Sequence, residues 1–434
     1  MPLPGPAEPD PHGHSEPDPA DLQQFLLYLG SALTSAGEAV NKIEERLHRV
    51  AAHYGAPHAR ITVLPTYLVV SLAHGAPATL EPTHQLRGKL RLDQTAAVFN
   101  LLKLTEGGEI SPAAGIRRLH TIVHKPPRFR APLRVAGHVV LTVGICLILQ
   151  PTRTDLGLAV LFGLFIGLFK LATAHWTDLQ AIVPVIAAFL VTAATLALAD
   201  ATFIEADLRA MIAPLVTFIP GAILTTAVVE LSAAEMITGA SRLISGSMQL
   251  LLLSFGIIGA AQTVGVARAV EIVNAPENSI GAWAPWLGAM IVAIGHYLVQ
   301  SGPRGSLRWL CLVLYAGWTA EYLGDLVLGG YMSGFIGAVV LTIVAYLVER
   351  RPSGPPALVS FLPGFWLLAP GSLSLIGITE YLSRDSFGGV EDMISAAGAM
   401  ISISLGVLCG YPLYRALERR LNRRSPATHL GSTG

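Results

Sequence analysis

Residues 218–230 read FIPGAILTTAVVE, and residues 361–374 read FLPGFWLLAPGSLS. Both lie in apolar surroundings, and both carry Phe-x-Pro-Gly, 143 positions apart. Proline removes a backbone donor and clashes with the preceding turn. Glycine lets a chain leave helical geometry. In hydrocarbon, carbonyls and amides freed by a break must be satisfied by protein or by a wet cavity. Matched breaks at Pro220-Gly221 and Pro363-Gly364 therefore predict a polar site near the membrane midplane. The helix ends there would offer amides to a carboxylate and carbonyls to an ammonium. A plain packing kink is the competing reading, because Pro and Gly are common in membrane helices. A further Pro-Gly, Pro370-Gly371, predicts a second interruption in the later segment.

Outward from these stretches the texture stays apolar. The chain has 434 residues, 52% apolar and 13% charged, with a mean hydropathy of +0.55. Soluble chains carry about 25% charged residues. Ten apolar segments follow one another at about 133–150, 156–174, 180–200, 211–231, 242–266, 281–299, 307–326, 331–348, 357–380 and 391–413. Basic residues near segment ends set orientation. Ten spans with both termini in the cytoplasm put Lys125, Arg128, Arg130, Arg134, Lys170, Arg242, Arg304, Arg308, Arg350, Arg351 and the arginines at 415, 419, 420, 423 and 424 inside. Only Arg153, Arg209, Arg268 and Arg384 then face outward.

Divided five and five, the two Phe-x-Pro-Gly stretches each fall in the fourth span of a half. Glu235-Met236-Ile237-Thr238 likewise answers Asp392-Met393-Ile394-Ser395. Five is odd, so the second copy enters the membrane upside down. The expected fold is an α-helical polytopic membrane protein of ten transmembrane helices in two inverted five-helix repeats, residues 133–267 and 268–413, with a basic cytoplasmic tail at 414–434.

The preceding residues read differently. Residues 1–20 are rich in Pro, Asp and Glu and predict a disordered tail. Residues 21–124 predict a small α/β cytosolic domain. Apolar residues from Leu22 to Val50 step by three and four, as in an amphipathic helix interrupted near Gly37. Two β-branched runs, Arg60–Pro65 and Thr66–Ala73, follow. Leu92–Leu104 returns to helical spacing, and Ser111-Pro112 caps a helix through Val123. Residues 125–132 form a basic linker. With a formal net charge of zero, no global field attracts nucleic acid, and no nucleic-acid partner is expected. The three cysteines sit in apolar runs without Cys/His spacing, so neither a disulfide framework, a metal site nor a cofactor is expected.

Ionisable groups inside a bilayer are functional candidates by default. Glu230 stands nine residues past Gly221. Glu321 and Asp325 share one helix face and can raise each other's proton affinity. His296 and His138 can shuttle protons. Interfacial exposure, or a satisfied core role, competes at each of these positions. Thr225, Thr226, Ser372 and Ser374 flank the Pro-Gly pairs, where their hydroxyls bind either a substrate or the freed backbone. Lys170 reads as a snorkelling anchor.

Residues 220–243, PGAILTTAVVELSAAEMITGASRL, resemble the Pro-Gly-Ala-x-Leu-Thr signature of the threonine/serine exporter family. Residues 361–378 resemble that family's other membrane half. GEAVNKIEERLHRVAA (37–52), VLPTYLVVSL (63–72) and GEISPAAGIRRL (108–119) resemble its soluble part. The resemblance runs over about 21–413. It implies export of threonine, serine or similar small amino acids across a bacterial cytoplasmic (inner) membrane, driven by the proton motive force, in a protein that is not an enzyme.

On that reading Pro220, Gly221, Thr225, Thr226, Pro363, Gly364, Gly371, Ser372 and Ser374 bind substrate. Glu230, Glu321, Asp325 and His296 are the candidates for proton coupling. Transport would proceed by alternating access at broken helices four and nine, and homo-oligomerisation is left open. Thr226 stands where Asn is common in the family, and Val229-Glu230 where a basic-acidic pair is common, so Glu230 is expected to lack a local partner. A membrane-anchored enzyme using residues 21–124 would need a catalytic constellation. No GxSxG, HExxH or Walker loop occurs. A passive small-solute channel is the other alternative.

Overall fold

Asp18 accepts the Ala20 amide and Pro19 opens the first helix, α1 (Pro19–Ala36). Helix α1 ends at Gly37, whose φ of 90° is a left-handed conformation that glycine adopts without strain. The periodic stretch is thereby split, and α2 (Val40–His53) follows. The structure, a computed structural model, describes residues 18–73, 77–82, 88–149, 151–176, 179–202, 208–264, 280–328, 331–368 and 387–424. Contacts divide the chain into two units: Met1–Lys89 with Ala97–His124, and Leu90–Ala96 with Lys125–Gly434.

The first unit contains an antiparallel three-stranded sheet, ordered β1 (Arg60–Val63), β2 (Tyr67–Ser71), β3 (Thr79–Pro82). Ile61 pairs with Val70 and Val69 with Leu80. Helix α3 spans Leu92–Glu106. In α4 (Pro112–Val123), Ser111 accepts the Ala114 amide at the N-cap. Phe25, Leu29, Leu33, Ile43, Leu47, Leu68, Leu101 and Leu102 are fully buried.

The second unit is helical. Its helices are α5 (Ala131–Ile148), α6 (Arg153–Thr173), α7 (Val183–Thr202), α8 (Leu208–Leu215), α9 (Gly221–Ser232), α10 (Met236–Val264), α11 (Ala284–Val299), α12 (Leu307–Leu328), α13 (Tyr331–Glu349), α14 (Ala357–Leu367) and α15 (Phe387–Arg424). Among the described residues, five helical stretches are long and apolar enough to cross a membrane: Ala131–Ile148, Arg153–Thr173, Met236–Val264, Met332–Glu349 and Ala397–Arg420. Met211–Phe218 with Gly221–Ser232 is a sixth if that bent pair is one span. Val183–Leu198, Ala284–Val299 and Ala357–Leu367 are apolar but shorter. The protein is an α-helical membrane protein. Helix α6 exposes Leu161, Leu164, Leu168 and Leu171 at steps of three and four, a stripe that suits lipid.

Packing repeats itself. Helix α5 contacts α6 and α8, α6 and α7 each contact α8, and α7 contacts α10. Helix α11 contacts α12 and α14, α12 and α13 each contact α14, and α13 contacts α15. Each pairing in the first set has its counterpart in the second.

The two first members, α5 and α11, lie antiparallel along each other. Gly137 meets Leu298, Gly295 meets Leu141, and Gly144 meets Val292. At Gly295 a Cβ would stand 2.4 Å from the Leu141 amide nitrogen, so the seam needs bare backbone there.

One expectation is corrected. The chain does not break at Pro363-Gly364: α14 runs through both, and Leu368 N–H still reaches the Gly364 carbonyl. The glycine serves packing instead, since a Cβ on Gly364 would fall 2.5 Å from Leu341 Cδ2. The second interruption expected at Pro370-Gly371 lies outside the described residues.

Gly295→Ala forces the α5–α11 seam apart and is expected to cost about 1–3 kcal/mol of stability, read as a lower melting temperature in detergent. Gly157→Ala, with nothing within 4 Å of its added carbon, is the neutral control. Thermal-shift size exclusion reads both, and equal melting of the two variants contradicts the packing account.

Candidate functional site

The break lies between α8 and α9. After Leu215 the helix tightens to a 3-10 turn, Val216–Phe218. Ile219, which precedes proline, is extended at φ −70°, ψ 127°, as a pre-proline residue prefers. Pro220 then stands at the N-cap of α9, and the axes on either side differ by 53°. Gly221 is the first residue of α9 and is itself helical, so proline and its predecessor make the bend.

Polar side chains collect around it. Gln249 of α10 donates from Nε2 to the Phe218 carbonyl at 2.5 Å. His138 of α5 hydrogen-bonds through Nε2 to the Thr217 hydroxyl at 3.2 Å, with the Thr142 hydroxyl 3.4 Å from its other ring nitrogen. The Lys170 ammonium lies 4.9 Å from the Phe218 ring centre. Thr225, buried, donates to the Gly221 carbonyl at 3.0 Å. This hydroxyl therefore serves the backbone near the break. Thr226 is also buried.

The other face of the break borders a cleft of about 440 Å³, its open mouth included. Ile145, Ile148 and Leu149 line it from the end of α5. Val216, Ile219 and Gly221 line it from the break, and Trp366 and Leu367 from α14. No side-chain hydrogen bond caps α9 at Pro220, and Gly221 at the helix start lines the cleft. Trp366 also meets His296 edge-on, with ring centres 5.6 Å apart. Pro363 and Gly364 lie one turn back in α14, and Gly371, Ser372 and Ser374 lie outside the described residues.

The acidic candidates separate. Asp325 is exposed. Glu321 packs its Cβ against Gly337 of α13, and its buried Oε2 makes no hydrogen bond among the described residues. Glu230 corrects an expectation: it has a partner. It is 0% exposed, and its Oε2 lies 3.1 Å from Arg242 Nε on α10. The contact is charge to charge, without hydrogen-bond alignment between those two atoms.

A family model described as "Putative threonine/serine exporter" matches residues 24–264, more than half of the chain. The chain belongs to the threonine/serine exporter family. The match covers the break and stops at Val264, the last residue of α10. Membership of the threonine/serine exporter family makes this a transporter of the threonine/serine type. Comparison with curated proteins and with solved structures gives no match.

Sequence reasoning missed Gln249 and Arg242 as partners and underread Lys170. The signal for Gln249 was available: an amide in front of the leucine run LLLL must find an acceptor in hydrocarbon. Gln249→Leu strands the Phe218 carbonyl. It should cost about 1–3 kcal/mol of stability and weaken substrate binding. Melting temperature and the Michaelis constant for threonine transport check this, and a wild-type value for both contradicts it.

Proposed function

We propose that the chain is a secondary active transporter that exports threonine, serine and similar small hydroxy-amino acids from the cytoplasm in exchange for entering protons. The observation that carries this reading is the broken helix whose restart at Gly221 borders a cleft shared with α14. A zwitterion seated there meets the positive end of α9 with its carboxylate and apolar walls with its side chain. Pro220, Gly221, Thr226 and the α14 residues around Pro363 and Gly364 form the binding region, and Gly371, Ser372 and Ser374 extend it in sequence. Thr225 acts through the Gly221 carbonyl. Proton coupling falls to Glu230, Glu321, Asp325 or His296.

Ten spans in two inverted repeats is the architecture that goes with this reading. The recurring helix pairings and the antiparallel lie of α5 and α11 support it. The distribution of basic residues supports cytoplasmic termini in a bacterial inner membrane. Residues 21–124 act as a cytosolic gating module, joined through 125–132 to membrane halves 133–267 and 268–413, with a basic tail at 414–434. Access alternates as the segments around the break rock between the two sides.

Proteoliposomes with an acidic interior should accumulate labelled threonine against its gradient. Serine should compete, and a protonophore should abolish the accumulation. Absence of any small amino acid uptake contradicts the transporter, and uptake that stops at equilibrium indicates a passive channel.

A further inference from the structure

The Glu230–Arg242 pair has no evident reason to be there for stability alone. Burying two charges costs about what their attraction returns, and an apolar pair of the same volume does as well or better. Yet Glu230 is fully buried and Arg242 is only 16% exposed. The surroundings hold the two together. Gly239, one turn before Arg242, sits so close to α9 that a Cβ would lie 2.7 Å from Leu231 Cγ. The turn between the helices closes on the glutamate's own residue: Glu235 N–H donates to the Glu230 carbonyl at 2.9 Å, and Ala234 N–H to the Leu231 carbonyl at 3.1 Å. Ala234 takes φ 66° to do so, a left-handed conformation that costs an alanine about 1–2 kcal/mol.

We propose that this pair is the carrier's proton-binding site: the carboxylate of Glu230 alternates between Arg242 and a proton, and the exchange releases or locks α9. The inference rests on the transporter reading and narrows its four acidic and histidine candidates to one. Nine residues, roughly 14 Å of helix, separate Glu230 from Gly221. Helix α9 is therefore one rigid arm with the break at one end and the ion pair at the other.

Among the described residues, Arg242 stands against the carboxylate. Helix α10 brings Arg242, and α14 carries no ionisable side chain. Helix α15 from Ala397 to Gly410 carries Cys409 alone, while Glu235 stands half-exposed in the turn. When Glu230 takes a proton from the outer aqueous phase, an O–H bond forms and the charge-to-charge contact is lost. Arg242, left with a buried charge, then favours separation of α9 from α10. When that O–H gives its proton to cytoplasmic water, the carboxylate is restored and the arm is drawn back. Threonine seated at the break and a protonated Glu230 thus belong to different positions of the same arm.

The test uses full-length protein. In lightly buffered detergent solution, threonine should release protons from wild type and none from Glu230→Gln. In proteoliposomes, Glu230→Gln should lose gradient-driven threonine accumulation by about tenfold or more and flatten its pH profile, while threonine–threonine exchange falls far less. The exchanged pair Glu230→Arg with Arg242→Glu should recover folding and part of the exchange. Wild type that transports threonine but releases no protons on binding it overturns the site, whether or not the variants fold. So does Glu230→Gln with wild-type accumulation and pH profile. Wild type that moves no amino acid removes the transporter reading itself.

Discussion

Hydrocarbon offers no hydrogen bonds, and that constraint organises the second unit. A helix can be interrupted there only if the protein supplies what water would. At the α8–α9 break it does so with side chains from α5 and α10 and with a hydroxyl of α9 itself. The same demand explains why the polar residues of these helices gather at the bend while leucines line the outer stripe of α6. The bend thus comes with its own hydrogen-bond partners.

The break also stands between two sets of helices. Leu224 packs within the cluster built by α6, α7, α8 and α10, whereas Ala222 and Val229 pack against the cluster of α12, α13, α14 and α15. Helix α9 is therefore in contact with both sets. A displacement of this helix would therefore disturb the packing of both.

Much of this was legible in the residues, and for stated reasons. The left-handed turn at Gly37, the strands flanking Pro65-Thr66, the cap at Ser111 and the bend at Pro220 all follow from local backbone chemistry. Strand β3 escaped because TLEP has little β-branched character and contains proline, which an edge strand tolerates. Pro363 misled because the same Pro-Gly dipeptide has two uses. In α14 the glycine meets Leu341 closely and the helix continues. Arg242 was read as an orientation marker. Its pairing with Glu230 depends on how tightly α10 folds back on α9, a distance that spacing along the chain does not contain.

The seam between α5 and α11 carries a mechanical consequence. Where backbone rests on backbone, as at Gly295 against Leu141, no side chain is available to change rotamer and absorb sliding. Such a contact can serve as a fulcrum but not as a bearing surface. Displacement of one helix set against the other must then be taken up by tilting about this line, with the largest excursions at the helices farthest from it.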